Sequence, residues 1–157
     1  MQDLSSEELF KAGVKLLKQG KNKDALASIK AAIKKGGYEG AEEMPPNYLS
    51  YLGLAIALAE KRYRDGAELC EKAVKKEFYN PTNYLNLGKI YSVGGYRLKA
   101  LNAFNDGLRI DRTHKELIEE LKKIGVRRRP IIPFLQRKNV LNKFLGFLFH
   151  KEKMAKS

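Results

Sequence analysis

The chain has 157 residues, 43% of them hydrophobic, a formal net charge of +13 and one cysteine. That composition supports one small domain with a continuous core, and a single cysteine excludes an internal disulfide framework. No apolar run reaches the roughly 18 residues that span a bilayer, and the opening Met1 to Glu8 lacks the basic end and apolar run of a secretion signal, so a cytoplasmic protein is expected.

Helix signals follow one another along the chain. Ser5 with Glu8 three residues on is a capping box and predicts a helix over 5–19, stopped by Gly20. The next helix is expected over 22–35, ending at Gly36-Gly37. Helices over 47–61 and 64–77 come after a loop rich in glycine, glutamate and proline. Asn80-Pro81, an N-cap followed by proline at the first helical position, opens a helix over 81–93, and Gly94-Gly95 closes it before another over 97–110. A last helix over 114–124 is expected to begin with Thr113 as cap and Glu116 closing the box, with Leu117, Ile118, Leu121 and Ile124 on one face. No stretch alternates with period two for long enough to make a sheet, so the fold class is all-α.

One set of residue types recurs along these helices. It appears as Leu9, Gly13, Leu16, Ala25 and Ile29, then Leu52, Gly53, Tyr63 and Ala73, then Tyr84, Leu87, Gly88, Tyr91, Ala100 and Phe104. The third copy reads Tyr84-x-x-Leu87-Gly88-x-x-Tyr91, with Ala100 and Phe104 following on the next helix. This spacing resembles the tetratricopeptide repeat (TPR), and the resemblance covers residues 5–112. It implies a right-handed solenoid of three helix hairpins with a capping helix over residues 1–124, and a protein-binding role with no catalytic residues and no cofactor to carry over. Gly13 and Gly53 are 40 residues apart and Gly53 and Gly88 are 35 apart, against about 34 for the repeat. The surplus falls in the loop from Gly36 to Pro46, whose Glu39, Glu42 and Glu43 are read as solvated. The second copy is the least regular, with one extra residue before Tyr63 and with Cys70, a small core residue, where an aromatic is usual.

The resemblance also implies a groove lined by the first helix of each hairpin. Matched to the glycine of each repeat, it receives Phe10, Val14 and Leu17, then Leu54, Ala57 and Leu58, then Leu85, Lys89 and Val93. TPR domains that clamp a peptide's C-terminal carboxylate use Lys, Asn and Arg at such places. Here the set is mainly apolar, which favours an amphipathic helix as ligand.

Residues 125–157 form a separate basic, apolar extension. Residues 122–157 carry 11 Lys and Arg against one acid, whereas residues 1–121 carry 20 against 17. Arg127, Arg128, Arg129, Arg137 and Lys138 form a basic patch, and on a helix Val140, Leu141, Phe144, Leu145, Phe147 and Leu148 share one apolar face. That much apolar surface must be covered. The candidates are the chain's own groove, reached through a 14-residue connector that extends to roughly 46 Å, self-association with a second copy, a partner protein, or an anionic membrane surface. The tail's aromatics lack the tyrosine and glycine setting of RNA-reading surfaces, which counts against nucleic acid.

Catalytic patterns are missing from the sequence. His114 and His150 have no neighbours at metal-ligand spacing, no phosphate-binding glycine loop precedes a helix, and no serine sits in a nucleophile signature. The sequence therefore reads as an interaction module or assembly scaffold, without enzyme activity or metal; the other reading is a peripheral binder of anionic surfaces acting through the tail.

Overall fold

The computed structural model describes residues 4–124. Among them are seven helices and no strand: α1 (Ser6–Lys18), α2 (Asn22–Lys35), α3 (Pro46–Glu60), α4 (Tyr63–Lys76), α5 (Pro81–Val93), α6 (Arg97–Ile110) and α7 (Lys115–Ile124). Every boundary lies within one residue of the expected one. Helices α1–α2, α3–α4 and α5–α6 pack as hairpins, each hairpin stacks on the next, and α7 packs on α6 and α5.

The local causes are visible at the helix ends. Ser5 Oγ accepts from the Glu8 amide at 3.2 Å while the Glu8 carboxylate accepts from the Ser5 amide at 2.7 Å, so two of the first turn's unpaired donors are satisfied reciprocally. The Ser5 amide, and second the Ser5 hydroxyl, which donates to the same carboxylate at 2.8 Å, hold the Glu8 carboxyl below its ordinary range. At α5, Asn80 Oδ1 accepts from the Thr82 amide at 3.0 Å. The start of α7 differs from expectation. Thr113 donates its amide and hydroxyl to Asp111 Oδ1, at 2.9 and 2.7 Å, and so belongs to the turn. The cap is one residue later, where His114 Nδ1 accepts from the Leu117 amide at 3.4 Å. Glu116 is thereby one residue too early to close a box and is free to reach elsewhere.

Hairpin packing rests on close approach. A Cβ on Gly88 would lie 2.2 Å from Cε1 of Phe104, a ring with no solvent exposure. In the second hairpin the contact is backbone to backbone: a Cβ on Gly53 would lie 2.4 Å from the Gly66 carbonyl oxygen, and one on Gly66 equally close to that of Gly53. Gly66 stands where Ala25 and Ala100 stand in the other hairpins.

The second hairpin also absorbs the extra residue by lengthening its first helix. Helix α3 has 15 residues where α1 and α5 have 13. The turn residue with left-handed backbone is Gly20 and Gly95 in the first and third hairpins, but Lys61, at φ 59°, in the second. A side chain in that region costs roughly 1 to 2 kcal/mol.

Two cores result. The larger runs through α1 to α6 and includes Phe10, Ile29, Tyr48, Leu54 and Ile90; the smaller gathers Leu85, Ala100 and Phe104 under Leu117 of α7. Helix α3 is buried on most sides, from Tyr48 to Ala57, because hairpins flank it on both sides. Its one polar interior group is satisfied: Asn86 Nδ2 donates to Ser50 Oγ at 3.0 Å, and Cys70 Sγ donates to the Ser50 carbonyl at 3.1 Å. Burial pushes the Cys70 thiol up to about 12, so it stays protonated and inert. The long loop after α2 is tied down by Lys76, whose ammonium donates to the carbonyls of Ala41, Glu42 and Met44, and by Tyr38, edge-on to Tyr48 at 5.6 Å.

Candidate functional site

The first helices of the three hairpins and α7 together line a groove of about 420 Å³. Its floor is apolar, made by Val14 and Leu17 of α1 and by Tyr51, Leu54 and Leu58 of α3. Its other half is polar: Asn86 and Lys89 of α5 and Lys18 of α1, facing Glu116, Glu119, Glu120 and Lys123 of α7.

Five of the nine expected groove residues are brought together here: Val14, Leu17, Leu54, Leu58 and Lys89. The other four are not. Phe10 is buried and stacks flat on Tyr48 with centroids 4.0 Å apart, forming part of the wall between α1 and α3. Ala57 has no exposure and faces Gly66 across the close helix crossing. Leu85 is covered by α7 in the smaller core, and Val93, half exposed at the end of α5, lies beyond the groove.

Helix geometry explains the pattern. Counted from the repeat glycine, the lining residues of α3 and α5 sit at −2 (Tyr51, Asn86), +1 (Leu54, Lys89) and, on α3, +5 (Leu58). At about 100° per residue those offsets fall within roughly 60°, and offset −3, that of Phe10 and Leu85, lies outside that sector, about 40° beyond +1. The groove stripe is therefore rotated away from the −3 position. Lys18 is within reach of sequence reasoning, since it shares offset +5 with Leu58; Tyr51 and Asn86, at −2, share an offset with none of the expected residues. The α7 residues could not, because a helix read only as a lid gives no sign that it also forms a wall. The groove is consequently less apolar than expected.

Glu116 organises the charged half. Its carboxylate meets Lys18 Nζ at 3.5 Å and Lys89 Nζ at 3.4 Å, linking α7 to α1 and to α5. Burial pushes this carboxyl up, but the two lysines outweigh it and the net position is below the usual carboxylate range. Its charge in turn joins burial in raising the Tyr51 phenol. Glu120 pairs with Lys123 at 2.9 Å along α7. Nothing in this set has the geometry of a nucleophile with its base; the arrangement offers an apolar strip with a charged margin.

The basic patch (Arg127, Arg128, Arg129, Arg137, Lys138) and the tail's apolar face (Val140, Leu141, Phe144, Leu145, Phe147, Leu148) lie outside the described residues.

Comparison with solved structures decides the fold. The chain is similar to the Sgt2 TPR domain from Aspergillus fumigatus, at 17% identity and a TM-score of 0.59 over 76% of each chain. It is similar to the first TPR of Spaghetti (RPAP3) bound to an HSP90 peptide, at 20% identity and a TM-score of 0.56 over 76% of this chain and 90% of that one. It is also similar to the second TPR domain of human RPAP3 in complex with an HSP70 peptide, at 18% identity and a TM-score of 0.56 over 78% and 96%. This is a TPR fold. No protein-family model matches the sequence, and no curated protein matches it.

Proposed function

We propose that this TPR domain is a protein-interaction module that takes an amphipathic helix into the groove between α1, α3, α5 and α7, and that its own C-terminal segment around Val140–Phe149 is the resident occupant. The carrying observation is the groove itself, an apolar strip from Val14 to Leu58 bordered by Lys18, Lys89 and the glutamates of α7. That is the complement of a helix with one apolar face and charged flanks. The peptide complexes of the RPAP3 TPR domains support a binding role for this fold rather than an enzymatic one. A scaffold of this kind needs no cofactor.

Amide exchange on the full chain tests the occupant. Protection throughout residues 139–150, lost when Leu54→Glu puts a charge on the groove floor, supports self-occupancy. Rapid exchange of that segment in the parent contradicts it and leaves the groove to an external helix.

A second reading is favoured by the charge distribution: residues 122–157 hold 11 cations against one acid. On that reading the tail binds anionic lipid. Replacing Arg127, Arg128 and Arg129 with Gln should then weaken sedimentation with anionic vesicles and flatten its salt dependence. Equal binding of both forms across a salt series removes this reading.

A further inference from the structure

A second concavity, of about 400 Å³, shares no residue with the groove. Three tyrosines form its aromatic wall: Tyr63 at the start of α4, Tyr91 on α5 and Tyr96 at the entry to α6. The rings of Tyr91 and Tyr96 stand at 80° with centroids 6.3 Å apart, a corner of two π systems. Glu68 and Glu71 of α4 also line it, and the Tyr91 hydroxyl donates to the Glu71 carboxylate, fixing that ring. Aromatic faces and carboxylates share one preference, for cations, and the faces prefer those that are bulky and weakly hydrated.

The chain already shows the preference. Lys99 Nζ hangs in the corner, 5.4 Å from the Tyr91 centroid and 5.7 Å from that of Tyr96. Lys99 is an exposed residue on a flexible stem, so it returns to water easily. Arg64 also lines the concavity, and Glu68 is paired with Lys72 Nζ at 3.5 Å, which leaves the ring faces and Glu71 to hold a cation in the corner. A lysine ammonium is compact and strongly hydrated, whereas a methylated ammonium presents apolar surface to the rings and keeps its charge.

We propose that this pocket between α4 and α6 binds a methylated or quaternary ammonium group, borne by a small amine or by a methylated lysine of a partner, and that Lys99 is the internal cation it displaces.

The test is a calorimetric and NMR titration of the full chain with choline chloride, against sodium chloride at equal ionic strength and against the neutral tert-butyl analogue of choline. Choline should bind more tightly than the neutral analogue. Lys99→Ala should raise choline affinity by roughly 2- to 30-fold, the range set by a displaced cation–π contact. Tyr96→Leu, at a residue more than half exposed, and Glu68→Gln should each lower it while leaving the circular dichroism melt in place. A trimethyllysine peptide, compared with its unmodified twin, separates the two sources: binding tighter than choline assigns the site to a protein-borne cation, and weaker binding assigns it to a free amine. Equal affinity for choline and its neutral analogue overturns the proposal. So does an unchanged affinity in Lys99→Ala, or saturation seen only after Lys99 is removed, which would make Lys99 a permanent occupant.

Discussion

The tightest contact in the third hairpin gives a prediction whose sign decides the matter. In an open helix interior, Gly88→Ala would stabilise by about 0.8 to 1 kcal/mol through helix propensity alone. Here the new methyl would stand 2.2 Å from Cε1 of Phe104, 2.4 Å from Cδ1 and 2.9 Å from Cζ. That ring has no exposure and is enclosed with Leu85, Ala100 and Leu117, so it cannot swing into solvent. Overpacking of this kind costs about 1 to 3 kcal/mol. The propensity gain is therefore cancelled or exceeded, and Gly88→Ala should be neutral to about 2 kcal/mol destabilised. Gly88→Leu, with three more carbons and no better propensity, should fall further. Thermal and urea melts of parent, Ala and Leu variants should rank in that order, with each kcal/mol worth roughly 2 to 8 °C in a domain of this size. Pairing Gly88→Ala with Phe104→Leu should show a coupling of about 0.5 to 3 kcal/mol, because the shortened side chain relieves the clash. A Gly88→Ala chain that gains the full propensity increment would refute the stacking described above, since it would mean that space exists beside residue 88.

Three further outcomes follow from individual residues. Lys61→Gly should raise stability by up to about 1 kcal/mol, the strain of a left-handed side chain less the entropy glycine adds to the unfolded chain; a loss on denaturant melting would show that Lys61 contributes something else. The Glu116 carboxyl is held low in the folded chain, so its contribution is present above the ordinary glutamate value of about 4.3 and is lost as pH falls through its lower folded value. The stability gap between parent and Glu116→Gln should accordingly shrink on acidification below about pH 4, and a gap that widens would reverse the assignment of Lys18 and Lys89 as its partners. The Cys70 thiol, fully buried and pushed up to about 12, should resist thiol reagents until the chain unfolds; fast labelling of native protein at about pH 8 would contradict its burial.

The helices were legible because their signals are local. Ser5 with Glu8, Asn80 with Pro81 and the glycine pairs act within a turn of themselves, and Tyr84 to Phe104 carries a whole repeat's spacing. The groove was only half legible, because which side of a helix faces the ligand depends on how its neighbours lean. Offsets −3 and −2 from the repeat glycine differ by one residue, yet Phe10 and Leu85 are buried while Tyr51 and Asn86 line the groove. Glu116 differs from expectation for a related reason: a glutamate three residues after a threonine fits a capping box, and only the packing of α7 on α6 and α5, within reach of Lys18 of α1, shows that it binds two lysines instead. The tyrosine pocket was invisible to any motif, since Tyr63, Tyr91 and Tyr96 come from three helices and meet only after the last two hairpins stack.

The central claim, that the groove takes an amphipathic helix and that the chain's own tail fills it, is tested most directly by a photo-crosslinking phenylalanine derivative in place of Leu54 on the groove floor of the full chain. An intrachain crosslink to residues 139–150 is expected in the dilute protein, independent of concentration and lost when those residues are deleted. A chain that remains uncrosslinked, or that crosslinks at position 54 only to residues outside that segment, would contradict it.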